Sequence, residues 1–270
     1  MNIIWFKDCS YQNKNLVGGK NASLGELYRL SKELKFNIAD GFALTIDLYD
    51  QFILQNKFLE KIKQELQNVD PNNIDQLNTT ADNIKNLIQM GFFTPDQKQQ
   101  ILENYNKLRT QYNNTLQVAV RSSAIAEDLP GASFAGQQDT YLNIETPEDL
   151  IESIIKCYAS LFNARAISYR YTNKIDFSQV KMSVAIQKMV RSDVGSAGVA
   201  FSIDPETGYN KAVVINSAFG LGELVVSGGV KPDEIIIDKR AIQDNAEYPI
   251  IDKKLGNKKT KIIYDVMETQ

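Results

Sequence analysis

The sequence predicts an α+β fold (α/β in the broad sense) of two subdomains, and the evidence is two kinds of apolar periodicity. Apolar and β-branched residues alternate with a period of two in short segments near both ends of the chain, for example over residues 182–190. Between about residues 45 and 112, apolar residues instead recur at helical spacing. With 270 residues the chain can bury one large core or two smaller ones. We therefore expect two sheet-containing halves, the first carrying a helical insert.

Composition excludes several classes of function. The formal net charge of −3 argues against a nucleic-acid-binding surface. No apolar run approaches the ~18 residues of a membrane span, and residues 1–20 lack a signal-peptide pattern, so we expect a cytoplasmic protein without membrane contact. Cys9 and Cys157 have no metal-type spacing. The chain has no histidine, which excludes Ser-His or Cys-His nucleophile pairs, His-ligated zinc and a phosphohistidine of its own.

The first elements are a strand over residues 2–6, a helix, and a short strand within residues 36–44. The helix is expected to begin at Ser23, because Ser23 and Glu26 have the spacing of a capping box. Its apolar stripe would consist of Leu24, Leu27 and Leu30.

Lys20 is the first candidate for a binding role. It follows Gly18 and Gly19 and stands just before the predicted helix N-terminus, which is a favourable place for an anion. The spacing is not that of a P-loop, since position 14 is Lys14 where that motif needs glycine. The alternative is a solvated lysine beside turn glycines.

The helical insert, about residues 45–113, shows no chemistry-bearing pattern. A helix is predicted over Asp82–Met90, and another begins at Thr94, which precedes Pro95 and stands three residues before Gln97. These helices are rich in Asn, Gln and Lys, so we interpret them as structural.

The central stretch, residues 118–144, is predicted as strand, small-residue loop and strand. The run 118–120 leads to Arg121, and a second strand covers 140–144. An arginine at a strand end, facing a loop with accessible backbone amides, suits a polyphosphate. The alternative is a structural hairpin in which Arg121 pairs with Glu127 or Asp128.

The rest of the chain is predicted as one helix over about 146–171 followed by four strands, at 182–190, 198–204, 212–216 and 234–238. Arg165 and Arg170 are expected on the solvated face of the helix. Gly220 and Gly222 do not complete a dinucleotide fingerprint, because its third glycine would fall at Val225. If the two halves clamp a base, Gln187 could accept a hydrogen bond from the exocyclic amine of adenine; otherwise it is a sheet residue facing solvent.

Taken together, five segments resemble the N-terminal nucleotide-binding domain of the phosphoenolpyruvate synthase family, which is related to pyruvate phosphate dikinase and rifampin phosphotransferase. They occur in family order over nearly the whole chain: VGGKNASLGEL, VAVRSSAIAEDLPGASFAGQQDTYLNI, SLFNARAISYRY, MVRSDVGSAGVAFSIDPETGY and SAFGLGELVVSGGVKPDEI. The resemblance implies an ATP-grasp-like fold. Its first half would be residues 1–186, with the glycine-rich loop at 128–138, and its second half residues 187–270.

The resemblance also implies which residues bind ATP. Lys20 and Arg121 correspond to phosphate ligands, which would also be the residues that assist catalysis. In addition to these two residues, the residues expected to contact the nucleotide are Gly131, Ser133, Gly136, Thr140, Tyr141, Gln187, Met189, Val190 and Glu223. Gln187, Met189 and Val190 match the adenine-binding hinge. The family uses Mg²⁺, but its metal ligands and a further phosphate-binding arginine lie in a segment without a counterpart here, so no metal ligand is expected within these residues.

The implied reaction is phosphoryl transfer from ATP to a histidine on another domain, then to pyruvate, yielding phosphoenolpyruvate, AMP and phosphate. The partners would be a phosphohistidine domain and a pyruvate-binding barrel, neither of which is in this chain. The chain would therefore be a truncated domain that cannot complete the reaction alone. Two alternatives stay open: the equivalent domain of an antibiotic-modifying phosphotransferase, and a non-catalytic nucleotide-binding module.

Overall fold

A computed structural model describes residues 1–67, 69–71, 73–113, 115–124 and 139–263. The chain divides into two compact units, the first comprising Met1–Met189 and the second beginning at Val190. Both contain an antiparallel sheet and helices, which confirms the predicted α+β class. No helix in the described ranges is long and apolar enough to cross a membrane.

The first unit is built on a five-stranded sheet in the order β1-β2-β5-β3-β4, in which every neighbouring pair is antiparallel. Its strands are β1 (Ile3–Trp5), β2 (Gly41–Leu44), β3 (Val118–Ala124), β4 (Thr140–Ile144) and β5 (Met182–Lys188). Because side chains alternate across a strand, the central strands β3 and β5 present two different faces.

One face of this sheet is large and apolar. Val118, Val120, Val184 and Ile186 are fully buried there, in the main core of the unit. The helices of this unit are α1 (Lys14–Leu34), α2 (Ile46–Gln55), α3 (Phe58–Gln67), α4 (Ile74–Gln89), α5 (Pro95–Thr110), α6 (Pro147–Ser160) and α7 (Ala164–Thr172). All except α1 contribute buried side chains to this core. The segment predicted as a helical insert thus builds one wall of the core.

The opposite face is made of small residues and is covered in part by α1. Ala43 and Ala185 form a second, smaller core there with Val17 and Ala22 of α1. Small side chains on both sides allow the backbone of the helix to lie close to the sheet. This close approach positions the candidate site described below.

The second unit contains a four-stranded antiparallel sheet in the order β6-β7-β8-β9. Its elements are β6 (Ser196–Phe201), β7 (Ala212–Phe219), α8 (Glu223–Val226), β8 (Asp233–Asp238), α9 (Lys239–Gln243) and β9 (Ile250–Lys254). Three of these strands were predicted, whereas β9 was not, because its residues IIDKK do not alternate and are all exposed.

Local signals located some helix ends correctly. At the start of α5 the Gln97 amide donates to Thr94 Oγ1 (3.3 Å), and the Thr94 amide donates to Gln97 Oε1 (3.0 Å). This reciprocal pair is the capping box that the sequence predicted.

The predicted start of α1 was wrong. The helix begins at Lys14, and Ser23 and Glu26 lie inside it rather than at its end. Instead of capping α1, Glu26 Oε1 accepts from the Tyr11 amide (3.1 Å). Of the predicted leucine stripe, Leu24 packs against the smaller core, whereas Leu27 and Leu30 are both exposed.

Two further expectations were wrong. The single helix predicted over 146–171 is broken between α6 and α7, where Asn163 caps α7 by accepting from the Ala166 amide (2.7 Å). Arg165 is exposed as expected, but Arg170 is only 4% exposed. Arg170 follows the buried residues Phe162 and Ala166 at i+4 spacing, so its position is on the buried face, and only its charge suggested exposure.

Candidate functional site

The candidate site begins with a change of direction in α1 at Gly18. Gly18 has φ 76° and ψ 165°, so the helical hydrogen bonding is interrupted and a new first turn starts at Gly19 and Lys20. A Cβ at this position would lie 2.4 Å from the Ser123 carbonyl oxygen of β3. Only glycine combines this conformation with such close contact to the sheet. Lys20 is therefore in the first turn after the interruption, not before a helix as the sequence predicted.

Buried polar groups hold α1 on the small-residue face. Asn21 is fully buried, and its Nδ2 donates to Ser183 Oγ of β5 (3.0 Å). Ser183 Oγ in turn donates to the Leu44 carbonyl of β2 (2.6 Å). Because these bonds form across the sheet, the position of Lys20 relative to β3 and β5 is defined.

Lys20 and Arg121 lie beside each other across the junction of α1 and β3. Lys20 Nζ donates to the Ser122 carbonyl (3.3 Å), which is adjacent to Arg121 in β3. Arg121 occupies the middle of β3 rather than its end, and it is the exposed position of an otherwise buried strand. In register with Arg121 are Ala185 on one side and Thr140 on the other. The small Ala185 leaves room above the sheet for a ligand.

A pocket of about 490 Å³ opens at this junction. It is lined by Tyr11, Lys14, Gly19, Lys20, Asn21, Ser23, Leu24, Leu27, Arg121, Ser122 and Ala185. Three of these residues are cationic and none is acidic, so the pocket suits an anion with several negatively charged oxygens. The first turn of the resumed helix adds backbone amides and the positive end of the helix dipole.

The same donor set does not fit a metal ion. Mg²⁺ prefers carboxylate and other oxygen ligands, and the described residues that line the pocket include no carboxylate. Within the described ranges there is also no group of three or more His, Cys, Asp or Glu residues that could hold a metal.

Gln187 lies in β5, at the predicted adenine-binding hinge, and contacts Arg121, one of the two candidate phosphate ligands. Its Oε1 accepts from Arg121 Nη1 (3.2 Å), and its Nε2 donates to the Ala39 carbonyl (3.1 Å). At 9% exposure it is buried, so it is not the solvent-facing sheet residue considered above. Both ends of the amide thus have protein partners, and the oxygen expected to accept from adenine accepts from Arg121.

The other expected hinge residues fall on both sides of the division between the units. Met189 belongs to the first unit, where its amide donates to the Gln117 carbonyl (2.9 Å) and its Sδ accepts from the Asn143 amide (3.0 Å). Val190 and Glu223 belong to the second unit and are both exposed.

The remaining expected contacts lie in or before β4. Thr140 is exposed next to Arg121. The Tyr141 hydroxyl donates to Asp139 Oδ2 (3.2 Å), and burial raises the pKa of Tyr141. Gly131, Ser133 and Gly136 lie outside the described residues, as do Glu127 and Asp128, the alternative partners of Arg121.

Sequence reasoning missed Lys14 and Tyr11 as lining residues. Both precede the interruption at Gly18: Tyr11 lies in a short 3-10 helix (Tyr11–Asn13), and Lys14 is the first residue of α1. A signal was present, since Lys14 and Lys20 flank the Gly18-Gly19 pair, but the incorrect helix start at Ser23 obscured it.

Comparison with known proteins gives consistent matches over nearly the whole chain. It is 49% identical over 263 residues to a phosphoenolpyruvate synthase of Helicobacter pylori, covering 97% of this chain and 32% of that protein. It is 44% identical over 263 residues to the Aquifex aeolicus enzyme of the same name, covering 97% of the chain and 31% of the relative. It is 40% identical over 262 residues to a phosphoenolpyruvate synthase of Escherichia coli, covering 97% of this chain and 33% of that protein.

The chain thus spans about a third of the length of these curated relatives. Residues 14–270 match the family described as "Pyruvate phosphate dikinase, AMP/ATP-binding domain", which covers both units. The cationic pocket of the first unit is consistent with an adenine nucleotide as ligand. The chain belongs to the family of pyruvate phosphate dikinase AMP/ATP-binding domains.

Proposed function

We propose that the chain is the nucleotide-binding domain of a phosphoenolpyruvate synthase and that Lys20 and Arg121 bind the phosphates of ATP. The observation that carries this proposal is that both residues line one pocket, although they are far apart in sequence. In the whole enzyme, ATP would phosphorylate a histidine, and pyruvate would be converted to phosphoenolpyruvate with release of AMP and phosphate.

We assign two roles to this pocket: it would position the phosphate groups of ATP and stabilise their negative charge. Phosphoryl transfer needs the phosphate oxygens to be held and their developing charge to be neutralised. Arg121 can contact two oxygens through its planar fork, and Lys20 offers a compact charge. The hydrogen bond that Arg121 donates to Gln187 Oε1 fixes the direction of the guanidinium, so little reorganisation is needed when the nucleotide binds.

The acceptor and further partners belong to the proposal as well. The 270 residues include no histidine, so the phosphoryl group would pass to a histidine on a separate domain, and pyruvate would bind in a barrel domain. Mg²⁺ would enter with the nucleotide, since none of the described lining residues of the pocket is a carboxylate ligand for it. A reaction that consumes ATP fits a cytoplasmic location.

The test is calorimetric titration of the chain with ATP. Arg121→Ala removes a charge-assisted contact, for which about 1.5–3 kcal/mol, or roughly ten- to hundredfold in affinity, is expected. Arg165→Ala is the matched control, because Arg165 is an exposed arginine of the same unit outside the pocket. Unchanged ATP affinity in a folded Arg121→Ala variant would refute the assignment.

A second assay addresses the reaction. With ATP, Mg²⁺ and pyruvate, we expect this chain to bind ATP but to form no AMP in a pyruvate-dependent manner, because it lacks the histidine acceptor. Pyruvate-dependent AMP formation by the purified chain would contradict the proposed division of labour between domains.

A further inference from the structure

Lys14 is the third cationic residue that lines the candidate nucleotide pocket, together with Lys20 and Arg121. It comes before the interruption of α1 at Gly18, outside the motifs that indicated the other two residues. It is partly exposed, and its long, flexible stem carries a compact charge with three donors. The ammonium group can therefore reach a ligand that fills this side of the pocket.

The backbone that carries Lys14 is held against the second part of α1. Tyr11, at the start of the short 3-10 helix, donates its amide to Glu26 Oε1 (3.1 Å), and its hydroxyl is hydrogen-bonded to Ser23 Oγ (3.3 Å). Lys14 follows this 3-10 helix directly. It therefore belongs to the wall of the pocket that α1 forms, whereas Arg121 belongs to the wall that β3 forms.

The sheet beneath the pocket gives it a direction. Gln187, Ala185 and Ser183 follow one another on one face of β5. Ala185 lines the pocket, and Ser183 Oγ accepts from Nδ2 of Asn21 (3.0 Å), the residue next to Lys20. The pocket therefore extends from the side of Gln187, in the predicted hinge, to Lys20.

Lys14 lies at the same end of the pocket as Lys20. Gly18 is against the Ser123 carbonyl, and Ser123 is in register with Ser183. Lys14 precedes Gly18 by about one helical turn. This end, farther from the hinge, thus carries two lysines from the two parts of α1.

The opposite end of the pocket is apolar. Leu24 and Leu27 line it about one and two helical turns beyond the cationic end. This part of α1 approaches the hinge, since burial and, after it, the charge of Asp40 raise the pKa of the Tyr28 hydroxyl, and the Asp40 carbonyl accepts from the Lys188 amide (2.9 Å). A nucleotide with its nucleoside at the apolar end directs its phosphates toward the cationic end.

We propose that Lys14 binds the terminal phosphates of ATP and thereby makes the pocket select ATP over AMP. This inference rests on the proposed function, because it takes ATP as the ligand and the Gln187 side as the place of the base. Each phosphate beyond the first adds negative charge at the end where Lys14 and Lys20 lie, and a further cation there stabilises it. AMP, the product of the proposed reaction, has no terminal phosphates for Lys14 to bind.

The experiment is calorimetric titration of the folded chain with ATP, and displacement of ATP by AMP in the same buffer. Lys14→Met keeps the length of the side chain and removes its charge. It should weaken ATP binding about tenfold, the effect of losing one charge-assisted contact, and change AMP binding less than about twofold. Lys14→Arg keeps the charge and should retain the preference for ATP. Lys61→Met is the matched control, because Lys61 is an exposed lysine of α3 outside the pocket.

The outcomes separate this inference from the proposed function. If wild type binds no ATP, both fail. If wild type binds ATP and Arg121→Ala weakens that binding, but folded Lys14→Met keeps the wild-type ratio of ATP to AMP affinity, only the role of Lys14 is overturned. An equal loss of ATP and AMP affinity would overturn it too. If Lys14→Met does not fold, Lys14→Gln, which is polar and uncharged, provides the same test.

Discussion

Replacement of Gly18 by alanine tests whether the close contact between α1 and β3 forms the nucleotide pocket. Gly18 has φ 76° and ψ 165°, a region available almost only to glycine, and a side chain held there costs about 1–3 kcal/mol. The added Cβ would also lie 2.3 Å from Ser123 Oγ and 2.4 Å from the Ser123 carbonyl oxygen. Overpacking of this kind costs about 1–3 kcal/mol, since the obstacle includes backbone.

The sum for Gly18→Ala is about 2–6 kcal/mol, a large part of the ~5–15 kcal/mol by which domains are stable. Urea unfolding followed by fluorescence would measure it for the first unit, because Trp5 is the single tryptophan of the chain. If the variant folds, α1 must move away from β3 and carry Lys20 with it. ATP affinity should then fall as well, by about tenfold or more.

Gly208→Ala serves as the control for backbone conformation alone. Gly208 has φ 73°, but no atom of the described residues lies within 4 Å of the position that an alanine Cβ would occupy there, so only conformational strain of about 1–2 kcal/mol is expected. Because Gly208 is in the second unit, its unfolding is followed by circular dichroism. A Gly18→Ala variant within about 0.5 kcal/mol of wild type, with unchanged ATP affinity, would refute the packing argument.

Two further predictions concern Gln187 and Cys9. Gln187→Leu removes the acceptor for Arg121, so ATP affinity should fall about two- to tenfold in a calorimetric titration, and unchanged affinity would contradict an orienting role for Gln187. Burial raises the pKa of Cys9 from 9.0 to about 12, so the stability that its neutral thiol provides is complete below pH 9 and is lost as pH rises toward 12. Cys9→Ala should therefore reduce the slope of the free energy of unfolding against pH, above pH 9, by up to about 1.4 kcal/mol per pH unit. An unchanged slope in chemical denaturation would exclude this contribution.

Local chemistry made several elements predictable from sequence. The reciprocal bonds of Thr94 and Gln97 depend on residues three positions apart, so the start of α5 needs no tertiary information. The same holds for β5, in which Met182, Val184 and Ile186 face the main core and smaller or polar residues alternate with them. The motif order predicted the nucleotide-binding family, and the family match confirms that prediction.

Other features depended on contacts between distant segments. A capping box at Ser23 is plausible locally, but Gly18 and Asn21 lie against β3 and β5, and this packing places the helix start earlier. Likewise, Arg170 was expected at the surface because arginine is rarely buried, and its burial depends on the packing of α7 against distant parts of the main core.

By itself, the sequence determined the α+β class, most strands and helices, the family, and Lys20 and Arg121 as candidate phosphate ligands. Only the tertiary structure decided that Gln187 accepts a hydrogen bond from Arg121 and that Lys14 lines the pocket of Lys20 and Arg121. It also decided that Arg170 is buried. The physical reason is that periodicity and capping are set by neighbours within one or two helical turns. Burial and side-chain pairing are set by residues that are distant in sequence and meet only when the sheet has formed.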